Sequence, residues 1–239
     1  MRINKYLSEC GVCSRREADI LIGEGRVEVN GAAASFGMQI SDGDEVKVNG
    51  QTVKPLLQKT YLVFNKPRGI VCTFEKREKD NLGNYLQLEK RVTYAGRLDK
   101  DSEGLLILTD DGNLIDALMT GSNGHEKEYV VETAQALGAD NIKALSGGVY
   151  LKEINRRTLP CRVWQSGQRE FHIVLTQGIN RQIRRMCKNT GLRVVSLKRI
   201  RIENIKLGSL PSGSIREFTP SELDGLKKRT AGTKRSNVR

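Results

Sequence analysis

The densest run of chemically capable side chains in this sequence is Asp99-Lys100-Asp101-Ser102-Glu103-Gly104, with Arg97 before it and Asp110 eleven residues after Asp99. Carboxylates so spaced suit two kinds of chemistry. They can ligate a hard cation, or one of them can act at a glycosidic centre as nucleophile or acid/base group. The spacing nearly fits a calcium loop, down to the glycine at the sixth position. However, the twelfth position is Asp rather than a bidentate Glu, and the ninth is Ile107, which holds no coordinating water. The flanks, TYAG before and LLILT after, are strand-like where helices would be needed. Calcium binding is therefore not expected. An acidic turn between strands is the ordinary reading of DKDSEG by itself.

Cys10-x-x-Cys13 is the second candidate. A zinc site needs four ligands, yet there is no second CxxC, and the two histidines lie far away at 125 and 172. The strand-to-helix setting of a thioredoxin-like redox pair is also missing. These cysteines read as one residue on an apolar helical stripe and one near a helix cap. The five cysteines, an odd and scattered set, do not make a disulfide framework. No metal and no organic cofactor is expected, since neither a GxGxxG motif nor a P-loop occurs.

Positive charge is the third signal. The formal net charge is +12, unevenly placed. Residues 1–59 hold 8 basic and 8 acidic side chains, and residues 60–176 hold 16 of each. Residues 177–206 hold 9 basic against 1 acidic, and residues 226–239 hold 6 basic and none acidic. A basic tail alone would be a solubilising feature. A basic segment inside the folded region points to a polyanion, because phosphate binding releases counterions.

The elements that must position these groups fall into two parts. Ile3, Tyr6, Leu7 and Cys10 are spaced as one helical stripe, with Gly11 as its stop. Ser14 and Glu17 form a capping box for a second helix, which ends near Glu24-Gly25. The period then changes to two, with Val27/Val29 and Val46/Val48 and turns at Asn30-Gly31, Asp42-Gly43 and Asn49-Gly50. Residues 1–50 thus form a compact module, and residues 51–59 read as a linker. In residues 60–225, YLVFNKP, RVTYAG, LLILT, KEYVVET and FHIVLT read as strands. Gly112–Met119 reads as a helix, and so does Asn180–Asn189, with its basic side chains outward. No βαβ repeat occurs, so the fold class is α+β with a mixed, largely antiparallel sheet. Residues 226–239, poor in apolar side chains, are expected to be a basic disordered tail. No apolar run approaches a membrane span and the first residues lack a signal peptide's apolar stretch, so a cytoplasmic protein is expected.

Gly96-Arg97-Leu98-Asp99-x-x-Ser102-x-Gly104-Leu105-Leu106 resembles the signature loop of the pseudouridine synthases, in the branch that acts on ribosomal RNA with an N-terminal S4 domain. INKYLSECGVCSRREAD is similar to the opening of the S4 fold, and Phe64-Asn65-Lys66-Pro67-Arg68-Gly69 to the opening of the catalytic domain. HEKEY at 125–129 and QGINRQIRRM at 177–186 resemble the family's later motifs, most of all those of its F-type large-subunit members. Ile179 stands where many relatives carry Arg. The resemblance covers residues 1–225. It implies an S4-like RNA-binding domain followed by a pseudouridine synthase catalytic domain.

The resemblance also implies the roles. Asp99 is the covalent catalyst, Arg184 the arginine that pairs with it in a dry pocket, and Tyr129 the aromatic that packs on the target uracil. RNA contacts are expected from Arg2, Lys5, Arg15 and Arg16 in the S4-like module. In the catalytic domain they are expected from Arg97, Lys127, Asn180, Arg181, Gln182 and Arg185, with Lys198, Arg199 and Arg201 extending the positive surface. The implied partner is RNA, a stem-loop of 23S ribosomal RNA with a tRNA open as a second substrate, bound by a monomer away from any membrane. Two other functions fit parts of the sequence. One is a non-catalytic RNA-binding or ribosome-assembly protein, and the other is a glycoside or nucleoside hydrolase using Asp99 with Glu103.

Overall fold

The computed structural model describes residues 1–231 apart from 76 and 89, and leaves the side chain of Ser122 undescribed. The chain forms two compact units, Met1–Thr60 with Asp110–Gly112, and Tyr61–Thr109 with the chain from Asn113 onward.

In the first unit, α1 (Ile3–Glu9) buries Ile3 and Leu7. Helix α2 (Arg15–Gly23) buries Ala18 and Ile22. The capping box is present. Glu17 N donates to Ser14 Oγ at 3.2 Å and Ser14 N to Glu17 Oε2 at 2.7 Å, satisfying two backbone donors that a helix start leaves open. Four short strands follow, β1 (Val27–Val29), β2 (Ala32–Ala33), β3 (Val46–Val48) and β4 (Gln51–Thr52), in the order β2-β1-β3-β4. Asn30-Gly31 and Asn49-Gly50 all have positive φ, which a two-residue hairpin turn requires. The second turn returns the chain as β4, so the expected linker begins as a strand paired with β3. Cys13 is buried in this core, and burial pushes the Cys10 thiol up to about 11, which favours its neutral form.

The second unit is built on one sheet. Its strands are β5 (Tyr61–Lys66), β6 (Thr93–Ala95), β7 (Glu103–Thr109), β8 (Lys127–Thr133), β11 (Arg162–Gly167), β12 (Glu170–Leu175), β13 (Val194–Ile202), β14 (Ile205–Lys206) and β15 (Ile215–Glu217). A separate small pair, β9 (Tyr150–Leu151) with β10 (Arg156–Arg157), stands apart. The main order is β11-β12-β8-β13-β7-β5-β15, with β14 on β13 and β6 on β7. All these pairings are antiparallel except one. Strand β13 runs antiparallel to β8 along most of its length but touches β7 in parallel, at Lys198↔Glu103 and Arg199↔Gly104.

Strand β7 is apolar on both faces because both are covered. Leu105 and Ile107 pack with Leu114, Leu118 and Leu226, whereas Leu106 and Leu108 pack with Phe64, Leu82 and Leu98. Helices α3 (Leu82–Leu86) and α4 (Gly112–Met119) supply part of these layers. A third cluster lies where α5 (Ala139–Ser146) and α6 (Gln182–Asn189) cover β8 and β12.

The expected disordered tail is corrected in its first half. Helix α7 (Pro220–Ala231) runs through residues 226–231 and buries Leu226 completely. Its start is a capping box, with Glu222 N donating to Thr219 Oγ1 at 3.1 Å and Thr219 N to Glu222 Oε2 at 2.9 Å. Pro220 sits at the first helical position, where its missing N–H costs nothing. Residues 232–239 lie outside the described part.

Gly104 is where β7 and β13 approach most closely. Its φ is +104°, and a Cβ there would lie 2.3 Å from the Arg199 carbonyl oxygen and 2.8 Å from its nitrogen. Gly104→Ala should cost roughly 2–4 kcal/mol in urea denaturation, from strain plus steric clash. Gly121→Ala, where a Cβ meets nothing within 4 Å, should stay within about 0.5 kcal/mol. Equal losses would show that the close approach is not what Gly104 provides.

Candidate active site

Residues 96–102 form the loop between β6 and β7, and the loop sorts its side chains by chemistry. Leu98 is buried among Phe64, Leu106 and Leu108. Arg97 is exposed, and Asp99 keeps 29% of its side chain accessible. Ser102 N closes the turn on the Asp99 carbonyl at 3.0 Å, and the buried Ser102 Oγ has no partner among the described residues. Two further bonds dock the loop on the segment after β5. Gly69 N donates to the Lys100 carbonyl at 2.8 Å, and Leu98 N to Cys72 Sγ at 3.4 Å. That segment is braced by Lys66, fully buried, whose Nζ donates to the Pro67 and Ile70 carbonyls at 2.8 Å each. Burial lowers the Lys66 pKa below the ordinary lysine value.

The guanidinium facing Asp99 is that of Arg181. Its Nη1 lies 3.6 Å from Asp99 Oδ2 and 3.8 Å from Asp101 Oδ2. Arg184, expected to make that pair, instead donates from Nη2 to the Asp101 backbone carbonyl at 3.2 Å, while its buried Nε has no partner among the described residues. The reason is where the helix begins. Arg181 has φ +51° and precedes α6, so its side chain takes a direction no residue within the helix shares. Neither is the pocket dry, because Arg181 is 42% exposed.

The other expected RNA contacts divide. Asn180 is exposed and Arg185 half-buried. Gln182 is corrected, for it is buried, and its Oε1 accepts from Ile179 N at 3.2 Å, closing the turn that precedes α6. Arg199 is buried to 1% and Arg201 is paired with Glu128 at 2.8 Å and Glu126 at 3.0 Å, so neither extends a positive surface. Strand β13 is interior to the sheet, and every second residue of it must face a core. Tyr129 is half-buried and packs against two of the apolar clusters, the one that holds Leu98 and the one beneath α6. Lys127, two residues earlier on β8, donates to the His125 carbonyl at 3.3 Å.

In the first unit, Arg2 stands exposed at the cap of α1. Lys5 is half-buried, 3.6 Å from Glu9. Arg15 and Arg16 are exposed in the first turn of α2. Among the described residues no three His, Cys, Asp or Glu side chains converge as a metal site, and no helix is long and apolar enough to cross a membrane.

Burial, and next to it the charge of Arg199, pushes the Lys127 pKa down to about 8 from 10.5. Below pH 8 both folded and unfolded chains hold the proton, and the folded chain bears the full cost of the buried charge. Between pH 8 and 10.5 the unfolded chain binds more protons, so stability should rise with pH. Lys127→Met should therefore be more stable than wild type at pH 7, by about 1–3 kcal/mol, with the gap closing by pH 10. Denaturant titrations at both pH values check this, and a pH-independent gap would contradict it.

Residues 60–189 match the RNA pseudouridylate synthase family and residues 1–46 match the S4 domain. The chain is 44% identical over 230 residues to the dual-specificity RNA pseudouridine synthase RluF of Escherichia coli K12, covering 95% of this chain and 79% of that protein. It is 31% identical over 233 residues to the ribosomal large subunit pseudouridine synthase B of Bacillus subtilis, covering 95% of each. A crystal structure of a pseudouridylate synthase superposes with a TM-score of 0.69 at 28% identity, covering 95% of this chain and 99% of that one. The chain belongs to the RNA pseudouridylate synthase family and is an RNA uridine isomerase with an S4 domain over residues 1–46.

Proposed function

We propose that this enzyme converts a uridine of large-subunit ribosomal RNA to pseudouridine with Asp99 as covalent catalyst. The isomerase class follows from the family, and the large subunit is the target in the name of the Bacillus subtilis relative. In this reaction the N1–C1′ bond breaks, the base turns, and C5 bonds to C1′. The C5 proton is released as N1 gains one, so substrate and product have the same atoms. Such a centre needs a carboxylate able to attack the nucleotide and to leave again.

One observation carries the assignment to Asp99. Its carboxylate lies 3.6 Å from the Arg181 guanidinium and is held on both sides by docking bonds, at Leu98 N and the Lys100 carbonyl, whereas Asp101, 3.8 Å from the same guanidinium, is 58% exposed beyond them. Arg181 pairs with this carboxylate and aims it, and Arg184 holds the neighbouring Asp101 backbone. Tyr129 stacks on the displaced uracil, which must leave its own stack at a cost of a few kcal/mol. Arg97, exposed beside the nucleophile, contacts the RNA the base has left. Lys127, Asn180 and Arg185 line the same RNA, while Arg2, Lys5, Arg15 and Arg16 bind phosphates and shape through the S4 domain. The enzyme works in the cytoplasm as a monomer. A stem-loop of 23S ribosomal RNA is its substrate, with a second RNA open to it as the dual-specificity name of the Escherichia coli relative has it.

Asp99→Asn should bind unmodified 23S ribosomal RNA within about threefold of wild type and form no pseudouridine, since an amide is not a nucleophile. Multiple turnover by the purified variant would overturn the assignment. Arg181→Ala should lower the saturating single-turnover rate roughly tenfold, whereas Arg184→Ala should act mainly on stability, by about 1 kcal/mol for one lost bond to a carbonyl. Exchanged phenotypes would return the pairing role to Arg184.

A further inference from the structure

Arg199 is among the largest fully buried side chains, and it is a cation with no carboxylate at ion-pair distance among the described residues. Its guanidinium is instead spent on backbone carbonyls. Nε donates to Leu105 at 2.7 Å, Nη1 to Arg97 at 3.4 Å and Nη2 to Gly96 at 3.5 Å. Gly96 and Arg97 lie just before Asp99, and Leu105 lies just after the loop. One planar group therefore spans both ends of the loop that carries the nucleophile. Its own backbone is registered with Tyr129 on β8 and Gly104 on β7. The loop, the strand of the stacking aromatic and the strand leaving the loop all meet at this residue.

Burying an unpaired cation is costly, and an apolar side chain of the same length would fill the space more cheaply. The cost is offset only if the three carbonyls need a donor set that no apolar residue supplies. Arginine fits, because its fork presents several N–H groups in one plane, whereas lysine offers a single point donor.

We infer that Arg199 is a positioning residue for Asp99, tying the two ends of its loop to the strand that also registers Tyr129. This rests on the reading of Asp99 as the catalyst. Asp99 must stand within a fraction of an ångström of its attack position, and a misplacement of about 1 Å can cost a hundredfold in rate.

The test uses the full chain and unmodified transcribed 23S ribosomal RNA, with Arg199→Lys and Arg199→Ala beside Asp99→Asn. Arg199→Lys should unfold cooperatively and bind RNA within about threefold of wild type, yet lose roughly 30-fold or more in saturating single-turnover rate. Arg199→Ala should be slower still and regain rate with added methylguanidinium, which should leave Arg199→Lys and the wild type unchanged. A rate for Arg199→Lys within about threefold of wild type would overturn the inference, as would a rate loss matched by an equal loss of RNA affinity. Should Arg199→Ala not fold, Arg199→Lys decides by the same criteria, and failure of both to fold makes Arg199 a folding residue and overturns it too. Activity in Asp99→Asn would instead sink the catalyst assignment. Arg199→Lys at full rate beside an inactive Asp99→Asn sinks this inference alone.

Discussion

Two residues of β13 and two of β7 form the parallel contact through which one half of the catalytic sheet is joined to the other. On one side of it lie β8, β12 and β11, and on the other β5 and β15. A contact this short can hold two half-sheets only if the backbones come very close. Gly104 permits that by having no Cβ, since the space such an atom would need is occupied by the Arg199 backbone. The same closeness puts the Arg199 side chain against the loop that carries Asp99. The seam and the proposed centre thus coincide, and the groups proposed for chemistry are drawn from both of its sides.

The charged residues of β13 show how position in a sheet decides what charge does. Arg201 forms an ion-pair network with Glu126 and Glu128, and Glu128 also meets His172 at 3.1 Å. These groups are partly solvated and mutually neutralised, so their net worth is modest. Two residues away, across a bulge, Arg199 has carbonyl dipoles as its hydrogen-bond partners among the described residues. Its charge also reaches two neighbours, helping to lower the pKa of both Lys66 and Lys127. Two fully buried cations, Lys66 and Arg199, with the half-buried Lys127 close enough to feel the second, are an expensive arrangement.

Much of this architecture was legible in the residues. The Ser14/Glu17 box, the Asn-Gly turns and the apolar LLILT run each carry a local physical reason for one conformation, and each formed as read. The signals that failed were those whose meaning depends on distant neighbours. KRIRI in β13 looks like a solvated basic stretch until it is known to be an interior strand. Arg181 and Arg184 differ only by where a helix begins, and the left-handed backbone at Arg181 is set by the turn that Gln182 closes. The tail is a different kind of miss. Thr219-Pro220-Ser221-Glu222 is a strong local helix start, overshadowed by the basic composition that follows it.

The bonds from Arg199 to the loop span 94 to 103 residues of chain. During synthesis the segment bearing Asp99 leaves the ribosome well before β13 exists, and β5 waits longer still for β15 to cover its open edge. A growing chain that has made the 96–102 loop but not β13 lacks the Arg199 bonds that hold the loop's two ends. Contacts of such long range form late. The arrangement around Asp99 is thereby completed only when nearly all of the second unit has been made, a timing that comes from the order of the strands alone.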